Sequence, residues 1–123
     1  MRLQKPWASP EVVDQILELG RAESPVEACG IVTPDLRVVS LPNRHETSTR
    51  DSFVISSEDL INVVEEYVER SGVDPMLLDR SHFMVWHTHP GGLVGPSQGD
   101  MQNRVEGFQH LVVTLPDGPA TIF

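Results

Sequence analysis

The chain has almost no thiol: its single cysteine, Cys29, excludes an intrachain disulfide and any Cys-rich zinc knuckle. That usage accords with a reducing compartment. Long apolar runs are missing too. None approaches the ~20 residues that a transmembrane helix needs, and the N-terminal residues Met1 to Trp7 lack the apolar core of a signal peptide. Basic residues are scarce, nine Lys and Arg against 18 Asp and Glu, which leaves a formal net charge of -9. Nucleic-acid backbones and anionic membranes reward a basic face, so neither is an expected partner. A basic or neutral protein substrate would not be repelled.

Motif absences narrow the chemistry further. There is no His-Glu-x-x-His, which removes the helix-borne zincins. A zinc deaminase would need His-x-Glu followed by Pro-Cys-x-x-Cys, and one cysteine cannot supply it. Barrels of the amidohydrolase type need about 250 residues, and this chain has 123.

What is present is ordinary globular composition, 39% hydrophobic and 22% charged. Residues 1–123 are expected to form one domain with a core that needs no disulfides. Ser9-Pro10 opens a helix whose apolar stripe is Val12, Val13, Ile16, Leu17 and Leu19, with Gly20 as its stop. Glu27 to Thr33 and Leu36 to Leu41 read as paired strands around Pro34-Asp35. Residues 42–52 are polar loop, and Phe53 to Ile55 is a short strand. Ser56-x-x-Asp59 caps a second helix carrying Leu60, Ile61, Val64, Tyr67 and Val68 up to Gly72. His82 to His89 is the central strand and Asp100 to Gly107 a short helix. Leu111 to Leu115 and Ala120 to Phe123 flank the turn at Pro116-Asp117-Gly118. Strands and helices interleave with hairpins at both ends, which predicts an α/β fold: a mixed β-sheet flanked by helices.

The stretch from Val85 to Asp100 organises the chain. On an extended backbone His87 and His89 point to one face, so both imidazoles reach one point in space. Gly91, Gly92 and Gly95 give a mobile loop that could let a substrate strand lie close by. Ser97 and Asp100 follow, about one helical turn apart. Two nitrogens and one carboxylate oxygen make a three-ligand zinc site with a position open for water, the catalytic arrangement. Zinc with one carboxylate keeps a net charge of about +1, which acidifies water toward a pKa of roughly 7. The chemistry then needs a carboxylate as general base and a hydroxyl or N–H for the oxyanion. Ser97 supplies the hydroxyl. Cys29 reads as a small buried side chain, and His45, His82 and His110 lack ligand spacing.

His87-x-His89, seven residues, then Ser97-x-x-Asp100, with Glu27 upstream in Val26-Glu27-Ala28-Cys29-Gly30-Ile31, resembles the signature of the JAMM (MPN+) metalloproteases. The likeness can be laid on residues 10–115. It implies an α/β sandwich shared in outline with cytidine deaminases. It implies zinc held by His87, His89 and Asp100, Glu27 as general base and Ser97 as oxyanion donor. Glu23 is the next carboxylate to consider. Thr88 stands where many members have serine and points away from the metal face, so little effect is expected of it.

Asn43, then Phe53-x-Ile55, then His87-x-His89-Pro90 is most similar to small prokaryotic and phage members. The expected partner is therefore a protein or peptide substrate, either a ubiquitin-like protein or a phage tail protein. The matching compartment is the cytoplasm of a bacterial or phage-infected cell, or alternatively the virion tail. Phage enzymes often carry an NlpC/P60-type peptidase domain, which is missing here. A catalytically inactive MPN-like scaffold is the competing class. The sequence sets no oligomeric state.

Overall fold

The computed structural model describes residues 9–44 and 53–123. Helix α1 (Pro10–Glu23) precedes strands β1 (Cys29–Val32) and β2 (Val38–Leu41). Helix α2 (Ser57–Ser71) and two short 3-10 turns, Pro75–Leu77 and Arg80–His82, lead into β3 (Met84–His89). Helix α3 (Gln98–Gln102), β4 (Gln109–Thr114) and β5 (Ala120–Ile122) complete it. The five strands form one mixed sheet in the order β2-β1-β3-β4-β5. β3 pairs parallel with β4 and antiparallel with β1, while the two outer pairings are antiparallel.

The apolar periodicity sorts into two layers. Val12, Ile16 and Leu17 of α1 pack with Val32, Met84, Trp86, Leu111 and Val113 on one face of the sheet. Val63 of α2 packs with Ile31, Phe83, Val85 and Phe108 on the other, joined by Phe53, Leu60 and Tyr67. β3 is buried along its whole length, as a central strand covered on both faces must be. Side chains alternate along a strand, so Met84, Trp86 and Thr88 face α1. Val85, His87 and His89 face the α2 side, and two residues before Cys29, in step with Cys29 and Ile31, comes Glu27.

Both helix starts follow the expected caps. Ser9 Oγ accepts from the Val12 N–H at 3.4 Å and Ser56 Oγ from the Asp59 N–H at 3.1 Å. Gly72 ends α2 in the left-handed conformation, φ 72°.

Gly20 is not a stop. α1 runs through it to Glu23, because Gly20 is where the helix touches the sheet. A Cβ there would lie 2.7 Å from Thr88 Cγ2 and 3.1 Å from Leu115 Cδ2. Phe53 to Ile55 is not a strand either. Bonds that tie it alongside the end of β2 are Arg44 N–H to Val54 O at 2.7 Å and Val54 N–H to Asn43 Oδ1 at 3.0 Å. The short helix starts at Gln98 rather than Asp100, because Ser97 caps it, and it closes at Gln102. Four of the expected strands shorten by one to three residues at their ends, while the one expected at Leu111 to Leu115 starts two residues earlier, at Gln109, and ends at Thr114. Most of the polar loop at 42–52, with His45, lies outside the described residues.

Candidate metal centre

Strand register brings the site together. Cys29 of β1 stands opposite His87 of β3, and continuing that register one turn of the pleat sets Glu27 beside His89. The parallel pairing of β3 with β4 forces a crossover, and that crossover carries Ser97 and α3 back over the end of β3. Glu27, His87, His89 and Asp100 are all buried and offer ligand atoms within 4.8 Å of one another. Every metal-site residue expected from sequence is therefore in one cluster, and Ser97 adjoins it.

Three of the four donors form a tight triangle. His89 Nε2 lies 2.9 Å from Asp100 Oδ2, His87 Nε2 lies 3.1 Å from the same oxygen, and the two Nε2 atoms are 3.2 Å apart. Glu27 Oε1 stands off at 4.0 Å from His87 Nε2. Zinc bonds of about 2.0–2.1 Å in a tetrahedron set ligand atoms roughly 3.3 Å apart. The triangle fits such an ion, and Glu27 lies beyond its edge.

The proton inventory of the triangle points the same way. His89 Nδ1 faces the Leu93 carbonyl at 3.2 Å. A carbonyl only accepts, so Nδ1 carries the proton and donates it. In the neutral ring Nε2 is then a bare lone pair, aimed at a carboxylate oxygen 2.9 Å away. Two acceptors do not face each other at that distance unless a proton or a cation lies between them.

The titration behaviour reflects the same convergence. Burial would raise the Asp100 carboxyl, but the two imidazoles against it, His87 and His89, hold it far below the usual carboxylate range. Burial pushes the His89 imidazole down, yet Asp100 and the Leu93 carbonyl leave it raised on balance. Burial lowers His87. An ionised carboxylate between two imidazole nitrogens is a donor set that could hold a metal ion.

Asp100 is also locked from its own helix. Its Oδ2 accepts from the Ser97 N–H at 2.8 Å and its N–H donates to Ser97 Oγ at 3.0 Å, a reciprocal capping box. Ser97 thus caps α3 as an acceptor, and the cap does not use its hydroxyl proton. The glycine loop is tied rather than loose at its middle: Leu93 O also accepts from Thr114 Oγ1 at 2.8 Å.

Cys29 is buried and its thiol is pushed up to about 12, first by burial and then by the Glu27 charge. Such a thiol is no nucleophile. His82 sits in the second 3-10 turn, its Nδ1 accepting from the Asp79 N–H at 3.3 Å. His110 Nε2 accepts from the Val105 N–H at 3.0 Å, and burial brings this imidazole down to about 4. Both are structural, as their spacing suggested.

Two residues matter more than their sequence positions suggest. Thr88 does point away from the metal face, but its Oγ1 accepts from the Ala28 N–H at 3.0 Å, next to Glu27. Asn43 Nδ2 donates to the Glu27 carbonyl at 3.1 Å. Together they hold the N–H and the carbonyl of the one peptide group that follows the glutamate. A polar β-branched residue between two site histidines was the available signal for Thr88. Asn43 offered only its place just after a strand.

The family model for prokaryotic homologues of the JAB domain matches residues 9–121. No curated protein matches the chain. Among solved structures, the solution structure of a protein from Salinibacter ruber is similar at 22% identity and a TM-score of 0.49, over 93% of this chain and 78% of that one.

Proposed function

The chain belongs to the prokaryotic JAB-domain family, and from that membership we propose that it is a zinc-dependent peptidase or isopeptidase. The observation that carries this reading is the convergence of His87 Nε2, His89 Nε2 and Asp100 Oδ2 within 3.2 Å of one another. Two imidazole nitrogens and a carboxylate oxygen converge at the spacing of metal ligands, and a fourth donor, Glu27, stands at the distance of a base. Nitrogen donors with one carboxylate favour zinc over magnesium or calcium.

Zinc held by His87, His89 and Asp100 would polarise the scissile carbonyl and acidify the attacking water. Glu27 takes a proton from that water as the oxygen bonds to the carbonyl carbon. Ser97 donates its hydroxyl proton as a hydrogen bond to the developing oxyanion. Glu27 then returns the proton to the leaving nitrogen as the C–N bond breaks. Thr88 and Asn43 keep the carboxylate in register with the histidines.

The substrate we infer is a protein or peptide with an extended, small-residue tail. The loop from Gly91 to Gly95 flanks the site, and a strand-like tail could pass it using backbone hydrogen bonds. The Gly-Gly terminus of a ubiquitin-like protein and a phage tail protein both meet that description. Incubating the zinc-loaded protein with fusions of each class separates them. Cleavage of one class with retention of the other assigns the substrate. Hydrolysis of only small esters or phosphates would overturn the reaction class.

A further inference from the structure

An imidazole that binds a metal through Nε2 must hold its proton on Nδ1, and that N–H ordinarily donates to a carbonyl or carboxylate that fixes the ring. His89 follows the rule through Leu93 O. His87 does not: its Nδ1 is buried with no hydrogen-bond partner among the described residues. Something else must set its orientation. The Phe53 ring lies flat against the imidazole, with centroids 4.3 Å apart and planes 22° from parallel. The Phe123 ring meets it at right angles, 5.9 Å between centroids and 87° between planes.

Both rings sit on chain segments held by hydrogen bonds from a backbone N–H. Phe53 is presented by the Val54 N–H to Asn43 Oδ1 bond, and Phe123 by its own N–H donating to His110 O at 2.9 Å. Stacked and perpendicular aromatic contacts are directional, so the pair restricts rotation of the imidazole in two planes. We propose that Phe53 and Phe123 are positioning residues for metal ligand His87, an aromatic bracket in place of the missing hydrogen-bond acceptor. The inference rests on the zinc reading above.

The test is zinc affinity, measured by competition with a chromophoric chelator on the full chain. Phe53→Leu keeps an apolar side chain against α2 but loses the ring face. Its zinc affinity should fall by roughly 10–100-fold, the usual cost of losing a group that orients a ligand. Its metal-free melting temperature should stay near that of the parent. Phe53→Tyr, which restores the ring, should recover most of the affinity. Phe123→Leu should weaken zinc independently, and it carries the test if Phe53→Leu fails to fold. Affinities for Phe53→Leu and Phe123→Leu within about twofold of the parent would overturn the bracket alone. A Phe53→Tyr chain as weak as Phe53→Leu would also overturn it, since the ring would then not be what matters. A parent chain that takes up no zinc would overturn the metal reading and the bracket with it.

Discussion

At the scale of single residues the account turns on two buried carboxylates with different work. Asp100 shares one oxygen with both histidines and with the Ser97 N–H, whereas Glu27 stands 4.0 Å from the nearer imidazole. Glu27→Gln keeps shape and volume but cannot take a proton. Its turnover should fall by roughly 10²–10⁴-fold while the fold survives, as steady-state kinetics and a thermal melt would report. Near-normal turnover would move the base elsewhere, with Glu23 next to test. The motif His87-x-His89…Ser97-x-x-Asp100 was legible because its chemistry is local: one strand, one turn of helix. Glu27 needed the family resemblance for most of its weight, since its place at the start of an apolar strand is a weak mark in a chain this acidic. The aromatic bracket was not legible, because Phe53 and Phe123 meet His87 only through tertiary packing.

His110 gives a second prediction at this scale. It is buried, 1% exposed, and its imidazole is brought down to about 4 from an ordinary value near 6.5. Between those values the unfolded chain binds a proton that the folded chain refuses, so stability falls as pH drops from about 6.5 to 4. The loss amounts to at most about 3 kcal/mol at 1.36 kcal/mol per unit. Urea unfolding of metal-free protein at several pH values checks it. His110→Gln, which can still accept from Val105, should flatten the slope, and a parallel slope in both proteins would contradict the assignment.

Among elements, the contact between α1 and β3 decides how close the helix can lie to the sheet. Gly20 reads in sequence as a helix stop, since glycine so often ends helices. Its true role depends on a neighbour far along the chain, Thr88, whose methyl would sit 2.7 Å from an added Cβ. Gly20→Ala gains up to about 1 kcal/mol of helix propensity but overpacks a tight contact, which costs about 1–3 kcal/mol. A net loss of about 1 kcal/mol is expected from denaturant unfolding. Adding Thr88→Ser removes the clashing methyl and keeps the hydroxyl that accepts from Ala28. The double variant should therefore be more stable than Gly20→Ala alone, a coupling that independent sites would not show. Helix starts were readable because capping is local. Strand order was not, because it is fixed by pairings such as Cys29 with His87 that join distant parts of the chain.

For the whole molecule, alternating helices and strands announced the mixed sheet with helices on both faces, and the family membership accords with it. No helix among the described residues is long and apolar enough to cross a membrane. A metal bound only by the folded state should stabilise it by roughly 2.7 kcal/mol when free zinc is 100 times its dissociation constant. Chelation should accordingly lower the melting temperature by several degrees, and zinc should restore it. The most direct measurement is zinc content by elemental analysis of the parent, Glu27→Gln and Asp100→Ala chains after equilibration with zinc and removal of the excess. The account predicts about one zinc per chain for the first two and close to none for Asp100→Ala. A parent chain that holds no zinc, or an Asp100→Ala chain that holds as much as the parent, would contradict it.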